Sequence, residues 1–301
     1  DSNYVYFSSY STSWLKHASD YADKMTERFG YNANSQVIEI ASNDGYLLQY
    51  FLQKGIKVMG IEPTANTAEV AIGKGIKTIV EFFGVELADR LRNHWDVKAD
   101  LLLGNNVLAH VPDIIDFVGG MKIILADEGV ITMEFPHLMQ LVDNNQFDTI
   151  YHEHFSYLSF YTAKQIFESQ GLEMFDVEEI PTHGGSLRIY AKHKEDSSKA
   201  ISENVFNLIK KETDKGLNGL PYYDNFQQKA LKVKLDLLEF LINQKKAGKK
   251  VAGYGAAAKG NTLLNYCGIK NDLIDFVVDA NPHKQDKFLP ASHIPVMNEE
   301  F

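Results

Sequence analysis

Between residues 36 and 135, short apolar runs alternate with segments of helical character, and this alternation limits the fold more than any other feature. The runs lie at 36–41, 57–62, 78–80, 99–104 and 130–135. Helices are expected between them at 45–53, 64–73, 85–93 and 112–126. Strands that alternate with helices join into a parallel sheet with helices on both faces. Val37-Ile38 and Leu101-Leu102-Leu103 are continuously apolar, as strands covered on both faces require. A helix at 8–29, ending at Gly30, precedes the first strand. After a helix at 162–169, the segments 172–180 and 186–193 read as an antiparallel pair closing one edge of the sheet. Pro181-Thr182-His183-Gly184-Gly185 supplies the turn between them.

A polar stretch at 192–200 marks a boundary, so residues 1–194 are expected to form one domain and 195–301 a second. Residues 201–247 read as mostly helical. A strand at 249–254, a helix at 258–267 and a strand at 273–279 open a second, smaller α/β unit. A doubly wound unit ordinarily has more strands, so further ones are expected beyond residue 301. The fold class is α/β, with a Rossmann-like sheet that is parallel except for its hairpin edge.

The 301 residues carry 30 Lys and Arg against 40 Asp and Glu, a net charge of −10, where nucleic-acid binding would want basic stripes. No segment has the length and apolarity of a membrane span. Cys267 is the one cysteine, which rules out a disulfide framework and a thiolate zinc site and suits a reducing cytoplasm. In an apolar helix it reads as a small core residue.

The turn after the first strand is Glu39-Ile40-Ala41-Ser42-Asn43-Asp44-Gly45. A dinucleotide fingerprint would place glycine at 41, 43 and 46, where Ala, Asn and Tyr stand, so a pyrophosphate is not expected here. Free N–H groups of this tight loop would suit a carboxylate. Glu62, with Pro63 after it, ends the next strand, where a carboxylate can accept ribose hydroxyls. Glu81-Phe82-Phe83 follows the third strand and could flank a purine; Asn105-Asn106 follows the fourth. A carboxylate, a ribose and a purine without phosphate describe S-adenosylmethionine. The expected contacts are Glu39, Ala41, Asn43, Gly45, Glu62, Pro63, Glu81, Phe82, Phe83 and Asn105. Read blandly, Glu39, Asn43 and Glu62 are caps and turn residues.

Tyr151-His152-Glu153-His154-Phe155-Ser156-Tyr157 packs two imidazoles, a carboxylate and two phenols into seven residues soon after the fifth strand. Open α/β sheets bind ligands beyond the carboxyl ends of their strands, so this is a candidate acid/base cluster. A helix would fan these side chains apart, and a strand would set His154 opposite Tyr151 and Glu153, so only the tertiary fold can make them converge. Adjacent residues converge poorly on one ion, and no metal site is expected.

Gly253-Tyr254-Gly255-Ala256-Ala257-Ala258 follows a strand and precedes a helix, with Asp279 ending the next strand. This G-x-G-x-x-A pattern supports an alternative function, an NAD(P)-dependent oxidoreductase. It equally suits a degenerate Rossmann unit that cradles the diphosphate of a nucleotide sugar, with Lys259 adding positive charge. A plain packing role for the glycines is the third account.

The segments VIEIASNDGYLL, GIEP, EFFG, NNVLAHVPD, GVITMEFPHL, YHEHFSYLS, HGGSLRIY and GYGAAAKGNTLL, in this order, resemble the sugar C-methyltransferases. These enzymes use S-adenosylmethionine to methylate carbon in dTDP-linked keto-deoxysugars. The resemblance implies a class I methyltransferase sheet, a C-terminal domain that helps to hold the nucleotide sugar, and an N-terminal zinc module whose cysteines this chain lacks. It implies His154 as the base, Glu153 as its orienter or a sugar contact, and Tyr151 as donor to the C4 oxygen. His110 becomes a second group for proton transfer or for the ketone oxygen, and Tyr6 a residue over the active site. Ser8, Ser9, Asn106, Arg188, Lys259 and Asn261 are the implied substrate contacts. A binding protein that has kept the fold and lost the chemistry would have no need of Tyr151, Glu153 and His154.

Overall fold

Seven strands, alternating with helices through the first five, build the main sheet of this computed structural model, which describes residues 7–300. They are β1 (Gln36–Ile40), β2 (Lys57–Ile61), β3 (Lys77–Ile79), β4 (Ala99–Asn105), β5 (Leu125–Pro136), β6 (Leu172–Ile180) and β7 (Ser186–His193). The order across the sheet is β3-β2-β1-β4-β5-β7-β6, with β7 antiparallel to both neighbours and the other pairings parallel. This is the Rossmann-like sheet, parallel except for its hairpin edge, that the sequence led us to expect. The hairpin of β6 and β7 closes its edge, with β7 inserted between β5 and β6.

Side chains alternate between two apolar layers, because successive residues of a strand face opposite ways. Ile38, Ile40, Leu102 and Ile131 face one layer with Leu91, Phe117, Met121, Phe160 and Phe167. Val37, Leu101, Leu103 and Val130 face the other with Ala18, Tyr21, Met25, Leu48 and Phe51. Both layers are fully buried, which is why the strands read as unbroken apolar runs. The first long helix, Thr12–Phe29, begins where the Ser11 hydroxyl caps the Trp14 N–H at 3.3 Å and ends at Gly30 in left-handed backbone.

The chain divides into two compact units, residues 1–137 with 155–214, and residues 138–154 with 215–301. The boundary drawn after residue 194 from the polar stretch falls instead after 214. The Glu203–Lys215 helix sends Val205 and Leu208 into the core of the first unit. The segment 138–154, expected in the first domain, belongs to the second unit.

The second unit has a four-stranded sheet of β8 (Ala252–Tyr254), β9 (Phe276–Val278), β10 (Lys287–Phe288) and β11 (Pro295–Met297), ordered β10-β11-β9-β8. Its core joins Leu241 of the Phe226–Lys246 helix and Leu264 and Cys267 of the Ala258–Cys267 helix to Val277, Ile294 and Val296. Cys267 is a buried core residue. Among the described residues no helix is long and apolar enough to cross a membrane.

Candidate active site

The loop after β1 takes left-handed backbone at every second residue: Ala41 at φ 56°, Asn43 at 50° and Gly45 at 74°. The alternation runs 41, 43, 45, one residue earlier at its end than the dinucleotide spacing tested on the sequence. Only Gly45 is a glycine, and there it is required: a Cβ would stand 2.4 Å from Ile76 Cδ1. The loop is drawn onto β2. The N–H groups of Ala41 and Ser42 donate to the Ile61 carbonyl at 2.7 and 3.3 Å, that of Gly45 to Ser42 at 3.0 Å, and that of Asn43 to Glu62 Oε2 at 2.8 Å. These four N–H groups are therefore not available to a ligand carboxylate, which corrects the expectation of free donors.

Glu62 is buried and does more than end a strand. Its Oε1 accepts from both the N–H and the hydroxyl of Thr64, while Oε2 accepts from Asn43. Three of its roughly four acceptor positions are thus used within the protein. One position remains for a ribose hydroxyl, where two were expected.

Around this loop several buried polar atoms reach no partner of hydrogen-bonding geometry: both carboxylate oxygens of Glu39, Ser42 Oγ, Asp44 Oδ1, both amide atoms of Asn105, and Asn106 Oδ1. Burial, then the Glu62 and Asp44 carboxylates, push the Glu39 pKa well up; the Tyr46 hydroxyl and Leu48 N–H pull it only partly back. The Glu62 and Asp44 carboxylates and the unsatisfied acceptors suit a ligand carrying positive charge and N–H or O–H donors, and would repel a pyrophosphate. S-adenosylmethionine, with its ammonium and sulfonium, fits this set.

The remaining expected cofactor residues lie along the same strand ends. Ala41 and Pro63 are half-buried. Glu81 is ion-paired with Arg90, Phe83 packs edge-on against Phe117 with ring centroids 5.6 Å apart, and the Phe82 ring is 82% exposed. Ser8 and Ser9 dock on the loop through their backbones: Ser8 N–H donates to Asn43 Oδ1 at 3.0 Å and Ser9 N–H to Asp44 Oδ2 at 3.3 Å. Lys74 ties the two segments by donating to Ser9 Oγ at 2.9 Å and to the Asp44 carbonyl at 2.6 Å. Tyr6 lies outside the described residues.

Arg188, an expected substrate contact, is spent inside the protein. It faces Glu134 across the β5–β7 register, and its Nε and Nη2 donate to Glu134 Oε1 at 2.7 and 2.6 Å while Nη1 reaches Glu178 at 3.1 Å. His17 takes the other Glu134 oxygen at 2.8 Å. Burial alone would raise the Glu134 pKa; the His17 hydrogen bond and the Arg188 charge outweigh it and hold the group below its usual range. His17 stacks on Trp14, whose ring also meets Tyr46 and His183. Sequence reasoning missed this cluster of His17, Trp14, Glu134 and His183; its one visible signal was a glutamate near the end of an otherwise apolar strand. His110 closes a short 3₁₀ turn after β4, and the neighbouring Ala109 carbonyl accepts the N–H groups of Phe155 and Ser156 at 2.8 and 3.3 Å.

In the second unit, residues 151–154 form a turn closed by the His154 N–H on the Tyr151 carbonyl at 3.0 Å. The turn sets the Tyr151 and His154 rings 4.5 Å apart. His154 Nδ1 lies 2.7 Å from the Thr149 carbonyl, and a carbonyl only accepts, so Nδ1 carries the proton and the lone pair of the neutral ring sits on Nε2. His152 and Glu153 occupy the exposed middle of the turn. Glu153 is therefore not the group that orients His154; Thr149 is. The turn is anchored by Phe147, whose ring packs 4.9 Å from Tyr266 of the Ala258–Cys267 helix. Among the described residues no three His, Cys, Asp or Glu side chains gather in a way that could hold a metal.

The glycine loop after β8 is closed from within. Asp279 Oδ2 accepts the Ala256 N–H at 2.7 Å, Gly255 N–H donates to the Val278 carbonyl at 2.7 Å, and Lys284 donates to the Ala256 carbonyl at 3.0 Å. A carboxylate committed to the loop is not positioned to read a ribose, so the nicotinamide-dependent alternative is not favoured. Lys259 is half-buried at the start of the following helix, and Asn261 holds a buried Oδ1 without a hydrogen-bond partner.

The chain is similar to the C-methyltransferase NovU of Streptomyces niveus, with 35% identity over 298 residues, 99% of this chain and 70% of that protein. It belongs to the C-methyltransferase family. A family model described as a methyltransferase domain matches residues 14–177, and one described as a C-methyltransferase C-terminal domain matches 181–301. Solved structures add only loose likeness. A S-adenosylmethionine-dependent methyltransferase from Clostridium acetobutylicum shows 10% identity over 60% of this chain and 92% of that one, with a TM-score of 0.48. The magnesium protoporphyrin IX methyltransferase of Synechocystis shows 12% identity over 59% and 78%, with a TM-score of 0.44. As a C-methyltransferase dependent on S-adenosylmethionine, the protein needs a carbon nucleophile.

Proposed function

We propose that this C-methyltransferase acts on a nucleotide-linked 4-keto-deoxysugar, with dTDP as the nucleotide, and methylates the carbon beside the ketone. The observation that carries the reading is the hydrogen bond from His154 Nδ1 to the Thr149 carbonyl, which leaves Nε2 as the ring nitrogen that can act as a base. Carbon becomes nucleophilic only when a neighbouring carbonyl can take up the charge, and a 4-ketone acidifies the hydrogen on C3.

His154 Nε2 takes that proton, and the electron pair of the C3–H bond moves onto the C4 oxygen as an enolate. The Tyr151 hydroxyl donates to this oxygen and stabilises the charge as it develops. His110 is a second donor for the same oxygen. Glu153, exposed on the turn, keeps the other role expected of it, a contact to the sugar. S-adenosylmethionine, when bound, supplies an electrophilic methyl group on sulfur. Glu39 and Asn105 would accept from its ammonium, Glu62 would take one ribose hydroxyl, and the exposed Phe82 ring would lie against the purine. Lys259 and Asn261 hold the nucleotide end of the substrate, while the buried Arg188 supports the sheet edge. The enzyme belongs with cytoplasmic sugar-nucleotide chemistry, where both reactants are made.

Incubation with S-adenosylmethionine and a dTDP-4-keto-deoxyhexose tests this reading. The expected product gains one methyl group by mass, and carbon NMR places it on the carbon beside the ketone. Methylation of an oxygen, or turnover only with NAD(P), would overturn it.

A further inference from the structure

Two residues at the carboxyl end of the main sheet hold left-handed backbone and are joined to each other. Asn106 at φ 55° follows β4, and His183 at φ 52° lies in the turn between β6 and β7. Residues other than glycine keep such backbone only where their surroundings over-determine it, and such positions cluster at functional sites. Here the surroundings are specific. The Asn106 N–H donates to the Glu134 carbonyl at 2.8 Å, and the His183 ring stands edge-on to Trp14 with centroids 5.3 Å apart. The turn carrying His183 is pinned by Ser186 Oγ on the Thr182 carbonyl at 2.9 Å and by the Gly185 carbonyl on the His137 N–H at 3.1 Å.

Asn106 Nδ2 lies 2.8 Å from His183 Nε2. An amide nitrogen only donates, so Nε2 is the unprotonated nitrogen of that ring. The other end of the amide, Oδ1, is buried and reaches no hydrogen-bond partner. With one N–H of the amide engaged by His183, the side chain is held in one orientation and its buried Oδ1 is presented as an acceptor. Without the imidazole it could turn over and offer a donor instead.

We propose that His183 is a positioning residue for acceptor recognition: it fixes the Asn106 amide so that Oδ1 meets a hydroxyl donor of the methyl acceptor. The inference rests on the reading above in placing Asn106 at the substrate, and it adds that the Oδ1 held by His183 accepts from a hydroxyl at the position it meets.

The test has two readouts. Nitrogen NMR of the wild-type enzyme with S-adenosylhomocysteine should show His183 as the Nδ1–H tautomer, and the Nε2–H tautomer would overturn the proposal. In kinetics with a dTDP-4-keto-deoxyhexose, His183→Ala should raise the acceptor KM roughly tenfold, the worth of one neutral hydrogen bond. The affinity for S-adenosylhomocysteine should stay unchanged. His183→Gln, whose carbonyl can still accept from Asn106, should recover most of the loss. The Asn106→Ala/His183→Ala double variant should be no worse than Asn106→Ala alone. Additive losses, or a parallel fall in S-adenosylhomocysteine affinity, would show that the two residues do not act as a pair. A wild-type enzyme that does not turn over the sugar would sink the substrate reading, while the tautomer still decides the role of His183.

Discussion

His154 donates its Nδ1–H to the Thr149 carbonyl at 2.7 Å, at the end of a turn that sets its ring 4.5 Å from that of Tyr151. The geometry fixes which nitrogen can act as a base. His154→Asn should therefore lose methyl transfer by about 10²- to 10⁴-fold, the usual worth of a general base, and lose deuterium exchange at C3 with it. S-adenosylhomocysteine titration should still show binding. Exchange at the wild-type rate would remove His154 from the role.

Glu62 holds Asn43 and Thr64 at the ends of β1 and β2. Glu62→Ala leaves buried donors without a partner, at a cost of about 1–3 kcal/mol. We expect a lower melting temperature together with weakened S-adenosylhomocysteine binding, read by calorimetry. A variant that melts lower yet binds as tightly as wild type would make Glu62 purely structural.

Glu39 is buried beside Glu62 and Asp44, and its pKa in the folded protein is well above the ordinary value. Its contribution to stability is present in full below the unfolded pKa of about 4.3, declines as the pH rises, and is lost once the folded pKa is passed. Glu39→Gln should remove this loss. In melts of the ligand-free protein between about pH 4 and pH 8, the variant should gain on the wild type as the pH rises, while binding S-adenosylmethionine more weakly. Parallel pH profiles would exclude a buried, proton-holding Glu39.

Ala41 carries φ 56°, a conformation that suits glycine. Ala41→Gly relieves that strain and should stabilise the protein by roughly 1 kcal/mol, less the entropy that glycine adds to the unfolded chain. Chemical denaturation would read this; a loss of 1 kcal/mol or more would mean that the Ala41 methyl does more packing than its half-exposed position suggests.

Much of the frame was legible because both faces of the sheet are covered. Continuous apolar runs located β1, β4 and β5, and the turn residues 181–185 located the hairpin. The sequence could not show what pairing alone creates. Arg188 reads as a cation available to substrate until the register sets it opposite Glu134. The left-handed backbone of Ala41 and Asn43 leaves no glycine to mark it, and His17 is a lone histidine on an amphipathic helix until the fold carries it to Glu134. Tyr151, Glu153 and His154 were legible as residue types, but a tight turn decided that the first and third meet while the second points away.

The chain passes between its two units at 137/138, 154/155 and 214/215, and the Phe147 ring beneath the 151–154 turn rests on Tyr266. Cutting the gene after residue 214 would therefore not yield a minimal enzyme. It would keep every residue of the proposed cofactor loop and also His154, yet remove the floor on which that histidine stands. A fragment made to simplify the system would retain its proposed base in sequence and lose it in place.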